Sequence, residues 1–304
     1  MCLAFDFRRF NCAACNLEIQ STMRMFLFAA FLLLFEQKIY GDIIIAQENF
    51  DGGAVNLVST QNVVNYTLQS TGDVFARVSR SDGGLGTGGP FDVWDDSVVG
   101  NSGGAPFPTD TLGIAGQNSS AFFAMNDPDG LNAFGNNNNA VWSFDVSSAP
   151  SLTTIKIDIA AMGDFEASSS DGFLIEARLD GGQWLKIFQG ITDESASKDY
   201  RALDAGTVVT LNDPLELFID EVATGIFLDK ADSLTGKFDT FASSRFAGLS
   251  GSLLDIRLSW AGSPSGSEPM GFDNITVNAV PEPSAAGLLA LTGIAGMAFR
   301  RRRS

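Results

Sequence analysis

A strict alternation of apolar and polar residues recurs along the chain after residue 42. Residues 152–160 (LTTIKIDIA), 172–180 (GFLIEARLD) and 253–260 (LLDIRLSW) place apolar side chains at every second position over most of their length, with charged residues between them. A period of two is that of a β-strand with one buried face. Further β-rich runs occupy residues 121–125, 140–146 and 215–219.

Glycine-rich turns separate these runs, and no part of the body has a sustained stripe of apolar residues at helical spacing. Residues 224–238 are the one stretch with room for a helical turn or two. The pattern predicts about twelve short antiparallel strands, each with one buried face. The fold class is therefore all-β, as a two-sheet sandwich.

Both ends of the chain differ from this body. Residues 25–35 (MFLFAAFLLLF) follow Arg24 and have the length of a signal-peptide core, which is too short to span a bilayer. Cleavage is expected after Gly41, with cleavage after Ala46 as the alternative. Translation could also start at Met23 or Met25 instead of Met1. The predicted organisation is an upstream segment with signal peptide (1–41), a β-sandwich (42–279) and a C-terminal tail (280–304).

The tail contains an uncharged stretch followed by a basic cluster. Residues 284–299 carry no charge and would be about 24 Å long as a helix, at the short edge of what a membrane span requires. A core helix is disfavoured because the sandwich core offers no partner for four terminal cations. By the positive-inside rule the basic residues stop translocation and stay cytoplasmic. They are Arg300, Arg301, Arg302 and Arg303.

Charge and composition exclude several functions. Residues 42–279 hold 32 acidic and 11 basic residues, so nucleic acid would be repelled. The chain has no histidine, and its three cysteines all precede residue 16, which rules out Ser-His-Asp, Cys-His and zinc hydrolase sites in the body. We expect no enzymatic activity. The alternative is a polysaccharide hydrolase or lyase that uses paired carboxylates.

One acidic cluster includes an aromatic residue on which a sugar could stack. Asp92, Trp94 and Asp95 in FDVWDD (91–96) are candidate glycan contacts. The competing interpretation is a solvated acidic loop anchored by one aromatic side chain.

Two segments resemble extracellular jelly-roll modules, the architecture of many lectin-like domains. They are DGFLIEARLDGGQWLKIF (171–188), which reads as a hairpin, and GFDNITV (271–277), which reads as the closing strand. Alternation places Asp273 on the face of Ile275 and Val277, and a buried carboxylate needs a partner. The resemblance implies a structural calcium ion there, with Glu48 and Asp51 as further ligands, since first and last strands pair in such folds. Alternatively, Asp273 caps a turn.

The tail closely resembles the PEP-CTERM sorting signal of Gram-negative bacteria. The resemblance rests on VPEP (280–283), the apolar stretch and the arginine cluster, in that order at the C-terminus. It implies that a membrane-bound exosortase recognises Pro281, Glu282 and Pro283, removes the helix and delivers the protein to the cell surface or extracellular matrix. Before processing, the helix would anchor the protein in the cytoplasmic membrane. Such proteins commonly occur with exopolysaccharide systems, so a structural or adhesive role is expected.

Overall fold

The structure is a computed structural model of the chain. The residues that it describes belong to one compact unit that begins at Asp42. They are residues 42–66, 74–79, 91–93, 112–115, 120–126, 128, 139–168, 170–201, 208–232, 235–262 and 268–281.

The described residues form β-strands and no α-helix. In chain order the strands are β1 (Ile43–Glu48), β2 (Leu57–Gln61), β3 (Val74–Val78), β4 (Phe91–Asp92), β5 (Leu112–Gly113), β6 (Phe122–Asn126), β7 (Asn139–Asp145), β8 (Leu152–Ala161), β9 (Gly172–Leu179), β10 (Leu185–Thr192), β11 (Ser197–Arg201), β12 (Val208–Asn212), β13 (Leu215–Ile219), β14 (Val222–Phe227), β15 (Asp239–Ser243), β16 (Leu253–Ala261) and β17 (Met270–Ala279). The all-β prediction is therefore confirmed, and each alternating or β-rich run quoted above overlaps a strand.

Two antiparallel sheets make up most of the fold. One has six strands in the order β15-β8-β17-β6-β3, with β1 also pairing with β17. The other has seven, in the order β14-β13-β10-β9-β16-β7-β2. From β14 onward each successive strand lies in the opposite sheet, as in double-sheet jelly rolls. Two smaller pairs are the antiparallel β11–β12 and the parallel β4–β5.

Aromatic side chains fill the space between the two sheets. Phe123 on β6 meets Trp142 on β7 at 5.3 Å between ring centroids, nearly edge to face. Phe173 on β9 meets Phe272 on β17 at 5.0 Å in the same manner. All four side chains are almost completely buried. Each such burial contributes roughly 1.5–3 kcal/mol, so these contacts hold the sheets face to face.

The six-stranded sheet also carries an apolar core on its outer face, which alternation alone did not predict. Phe122, on the opposite face of β6 from Phe123, packs with Phe238 at 5.0 Å. Tyr200 of β11 and Val209 of β12 belong to the same outer cluster. The expectation of one buried face holds for amphipathic strands, but residues 122–125 of β6 are a continuous apolar run that is buried on both sides.

The described part of residues 224–238 contains none of the helical turns considered from the sequence. Their first part belongs to β14, and the described remainder, through residue 232 and from 235, is irregular. Cross-strand pairing with β13 supplies the hydrogen bonds that a helix would otherwise have provided.

In the described part of the chain, no helix has the length and apolar character that crossing a membrane requires. The signal peptide and the C-terminal helix both lie outside the described residues, and both stay predictions. The domain boundaries at residues 41/42 and 279/280 also stay predictions.

The start of β9 provides a test of the sandwich geometry. Gly172 has a φ of +148°, and a Cβ added there would lie 2.3 Å from the carbonyl oxygen of Gly190 on β10. Gly172→Ala should therefore lower the free energy of unfolding by about 3 kcal/mol or more, through backbone strain and steric overlap. Chemical denaturation measures this loss.

The matched control is Gly181→Ala. Gly181 has a φ of +71° and nothing within 4 Å of an added Cβ, so only backbone strain of about 1–2 kcal/mol is expected. Equal losses in the two variants would contradict the close approach of β9 and β10.

Candidate functional site: an acidic cavity beside the last strand

A bulge in β17 determines where the acidic side chains of this strand lie. Pairing between β17 and β8 shifts register between Asp273 and Thr276, and Asn274 has a φ of +48°. Because of the extra residue, Phe272 and Ile275 both face the core between the sheets.

Asp273 therefore does not share a face with Ile275 and Val277, which corrects the sequence expectation. It pairs across the strands with Asp158 of β8, whose neighbours Ile157 and Ile159 face the inner core. Alternation puts both carboxylates on the outer face of the six-stranded sheet.

These two aspartates line a cavity of about 260 Å³. Phe122 and Phe238 supply its apolar side. The residues around it are Asp51, Ala115, Ser120, Phe122, Asp158, Gly236, Lys237, Phe238, Asp273 and Asn274. Of the three ligands expected for calcium, Asp51 and Asp273 thus line one cavity, and Glu48 is not among its lining residues.

Hydrogen bonds hold the acids in place. The Asn274 amide donates to Asp158 Oδ2 at 2.8 Å, and the Asn274 backbone N–H donates to Asp273 Oδ1 at 2.7 Å. The Ala121 N–H donates to Asp51 Oδ1 at 2.7 Å. The Phe50 N–H donates to Glu48 Oε1 at 2.6 Å. Among the described residues, the backbone N–H that Asp273 accepts is that of the next residue, Asn274, so the turn-capping interpretation is met by this one hydrogen bond.

Burial raises the pKa of Asp273 to about 8. The Asn274 N–H opposes this shift, and the negative charges of Asp158, Asp51 and Glu48 add to it. All three expected ligands are thus in one electrostatic group, together with Asp158. Lys237 lines the cavity, but the described residues contain no ion pair between it and these acids.

The cavity has the donor set of a hard-cation site. Carboxylates of Asp51, Asp158 and Asp273 and the amide oxygen of Asn274 are oxygen ligands, as Ca²⁺ prefers. A carboxyl group that stays protonated because it is buried and its neighbours are negative would ionise readily beside a divalent cation.

A second group of acids is geometrically tighter. Glu166, Asp171 and Glu268 place one carboxylate oxygen each within 4.8 Å of one another. Asp171 and Glu268 are buried there. This group lies in the loops before β9 and β17, and no sequence pattern distinguished it from the other acids of the body.

The remaining predicted sites fall mostly outside the described residues. Trp94 and Asp95 lie outside them, and Asp92 is described only as part of the backbone of β4. The proposed glycan contact at these three residues stays a prediction.

The sorting motif starts where the sandwich ends. β17 ends at Ala279, and the Val280 N–H donates to the Ser151 carbonyl at 3.0 Å. Pro281 follows, half-buried. Glu282, Pro283 and the four arginines lie outside the described residues.

The raised pKa of Asp273 predicts a pH-dependent stability of the metal-free protein. The folded-state pKa of Asp273 exceeds the ordinary value. Between about pH 4 and pH 8 the folded protein therefore keeps a proton that the unfolded chain has already lost. Asp273 therefore contributes stability at low pH that is lost as pH rises, at most about 1.4 kcal/mol per pH unit. Thermal unfolding in EDTA should show this slope, and Asp273→Asn should flatten it.

Asp239→Asn, at an exposed position on β15, removes the same charge and should leave the slope unchanged. A slope that persists in Asp273→Asn would contradict this assignment.

A model of the PEP-CTERM protein-sorting motif matches residues 279–303. No curated protein is similar enough to be matched. Among solved structures, the chain is similar to the K3 cleaved adhesin domain of Lys-gingipain from Porphyromonas gingivalis W83, at 13% identity. That alignment covers 57% of this chain and 82% of the other, with a TM-score of 0.26.

The motif match agrees in position with the proline-bracketed glutamate and arginine cluster of the tail. The motif implies export and surface sorting with processing by an exosortase. The chain therefore carries a PEP-CTERM sorting motif directly after the last strand of an all-β body.

Proposed function

We propose that the protein is a structural or adhesive component of the cell surface or extracellular matrix, with affinity for exopolysaccharide. The sorting motif that begins as the last strand ends carries this proposal. A C-terminal helix would hold the exported sandwich in the cytoplasmic membrane until the exosortase removes it. The strongly acidic body favours solubility and cation binding outside the cell.

Processing can be tested on the full chain in a host that has the exosortase. The motif supplies an extended segment with few backbone donors, which suits a protease cleft. Intact-mass measurement should show that the wild type loses its tail, and cell fractionation should show that it leaves the membrane. Glu282→Ala combined with Pro281→Ala should keep the tail and stay with the membrane.

Glu194→Ala, an exposed acid between β10 and β11, is the control and should be processed normally. Normal processing of the motif variant would remove the basis of the proposal.

A structural calcium ion in the acidic cavity is part of the same proposal. Asp51, Asp158 and Asp273 would hold it, with Glu48 adding negative charge from nearby. The ion would neutralise carboxylates that otherwise repel one another, and so would join β17, β8 and the segment after β1. In this role it stabilises the fold and takes part in no chemical step.

EDTA should lower the melting temperature and excess Ca²⁺ should restore it. A ligand at about 100 times its Kd stabilises the folded state by about 2.7 kcal/mol. Asp158→Asn should lose this response, whereas Glu268→Gln, in the second acidic group, should keep it. If Glu268→Gln loses the response and Asp158→Asn keeps it, the ion binds at Glu166, Asp171 and Glu268 instead. If the melting temperature of the wild type does not respond to Ca²⁺, the calcium proposal is wrong.

One observation favours the alternative of a carboxylate-dependent hydrolase or lyase. Asp158 and Asp273 are cross-strand neighbours in a cavity, and burial raises the pKa of Asp273 to about 8, as a general acid requires. Release of reducing ends from a polysaccharide by the wild type, and not by Asp273→Asn, would replace the structural role by a catalytic one.

A further inference from the structure

The outer face of the seven-stranded sheet carries a cluster that none of the functions above uses. It lies on β9, β16 and the turn before β10. We call it the arginine–tryptophan patch, and it consists of Glu176, Arg178, Trp184, Asp255 and Arg257. Their strand neighbours Ile175, Ala177 and Ile256 are buried in the inner core, so the patch faces away from it.

Hydrogen bonds fix both guanidinium groups. Arg178 Nε donates to Asp255 Oδ2 at 2.8 Å, and Ser143 donates to the other oxygen of Asp255 at 2.7 Å. Arg257 donates through Nε to Glu176 Oε2 at 3.0 Å, and its Nη2 donates to the same oxygen. The two pairs lie on the same β9–β16 ladder, with one pair, Ala177 and Ile256, between them.

Trp184 packs against both arginines. The Cζ atom of Arg178 lies 4.4 Å from the centroid of the indole ring, and that of Arg257 lies 4.2 Å from it. These are cation–π distances. The planar groups are therefore held in place before any ligand arrives, which reduces the entropy that binding would cost.

The patch exposes its cations and conceals its acids. The side chains of Arg178 and Arg257 are 34% and 29% exposed, whereas those of Asp255 and Glu176 are 7% and 13% exposed. Lys186 stands opposite Glu176 on β10 and adds a third cation. With Lys186, the patch holds three cations against two largely concealed acids, on a chain whose net charge is −17.

Donors remain for a ligand. Within the described residues, Arg178 donates hydrogen bonds through Nε and not through Nη1 or Nη2. Arg257 donates through Nε and Nη2 and not through Nη1. Nη1 and Nη2 of Arg178 form a fork that matches the two oxygens of a carboxylate, and Nη1 of Arg257 adds a single donor. The half-buried indole offers an apolar surface for the C–H face of a sugar ring.

We propose that the arginine–tryptophan patch binds a carboxylate-bearing polysaccharide, through the arginines to the uronate groups and through Trp184 to the sugar ring. The inference rests on the proposed surface function and names its ligand class. Nucleic acid fits poorly because its phosphates are dense, about one negative charge per 1.7 Å of duplex, and an acidic protein repels them more strongly than one carboxylate per sugar. An acidic peptide would satisfy the arginines and leave the indole without a sugar-ring partner.

Calorimetry on the purified protein can test this with three soluble probes: a galacturonate trisaccharide, the neutral maltotriose and a glutamate tripeptide. Only the galacturonate should bind, more weakly as salt is raised. Arg178→Lys keeps the charge and loses the free pair of Nη1 and Nη2, and Arg257→Lys keeps the charge and loses the free Nη1 donor, so each should weaken binding about tenfold. Trp184→Leu should do the same, without removing any charge.

Arg245→Lys is the matched control, since Arg245 is 33% exposed, pairs with Glu221 and stacks on no aromatic ring among the described residues. It should bind as the wild type does. Equal binding of the glutamate tripeptide would make the patch a general anion site and overturn the proposal, as would retention of affinity in the lysine and leucine variants.

The remaining outcomes separate this inference from the proposed function. Binding of maltotriose without galacturonate would refute the patch and leave a glycan-binding surface protein. Absence of all binding, in a chain that is processed normally, would refute the patch and the polysaccharide affinity, and would leave only surface sorting.

Discussion

The arrangement of the molecule depends on β17, a strand that is buried on both faces. It pairs with β1, β6 and β8, so its backbone groups are satisfied from both sides. Its bulge lets Phe272 and Ile275 face the inner core while Asp273 faces outward. The same strand therefore completes the aromatic core, supplies the acidic cavity and delivers the chain to the sorting motif.

The two sheets handle buried charge in opposite ways. On the seven-stranded sheet, Asp255 and Glu176 are neutralised by arginines on the adjacent strand, so the charges are paired and fixed. In the cavity of the six-stranded sheet, burial and then the neighbouring carboxylates raise the pKa of Asp273, so it takes up a proton. The first arrangement exposes guanidinium groups that are fixed in place, and the second gathers carboxylates in one cavity.

Much of the strand structure could be predicted because alternation is a local property. LELFI (215–219) coincides with β13, and residues 152–160 and 253–260 fall one residue short of β8 and β16. The direction of Asp273 could not be predicted, since one extra residue in a strand reverses the side that each later residue faces. Asp158 was missed for a related reason: between two isoleucines it reads as an ordinary solvent-facing residue, until the register with β17 places it beside Asp273.

The sequence alone determined the all-β class and the sorting motif, because both are written in consecutive residues. The motif is defined by its own consecutive residues, and strand alternation depends only on neighbours along the chain. Tertiary structure decided which charges meet. Asp51, Asp158 and Asp273 are far apart along the chain, as are Arg178 and Asp255. Their grouping follows from the register between strands, which the packing of the whole core selects.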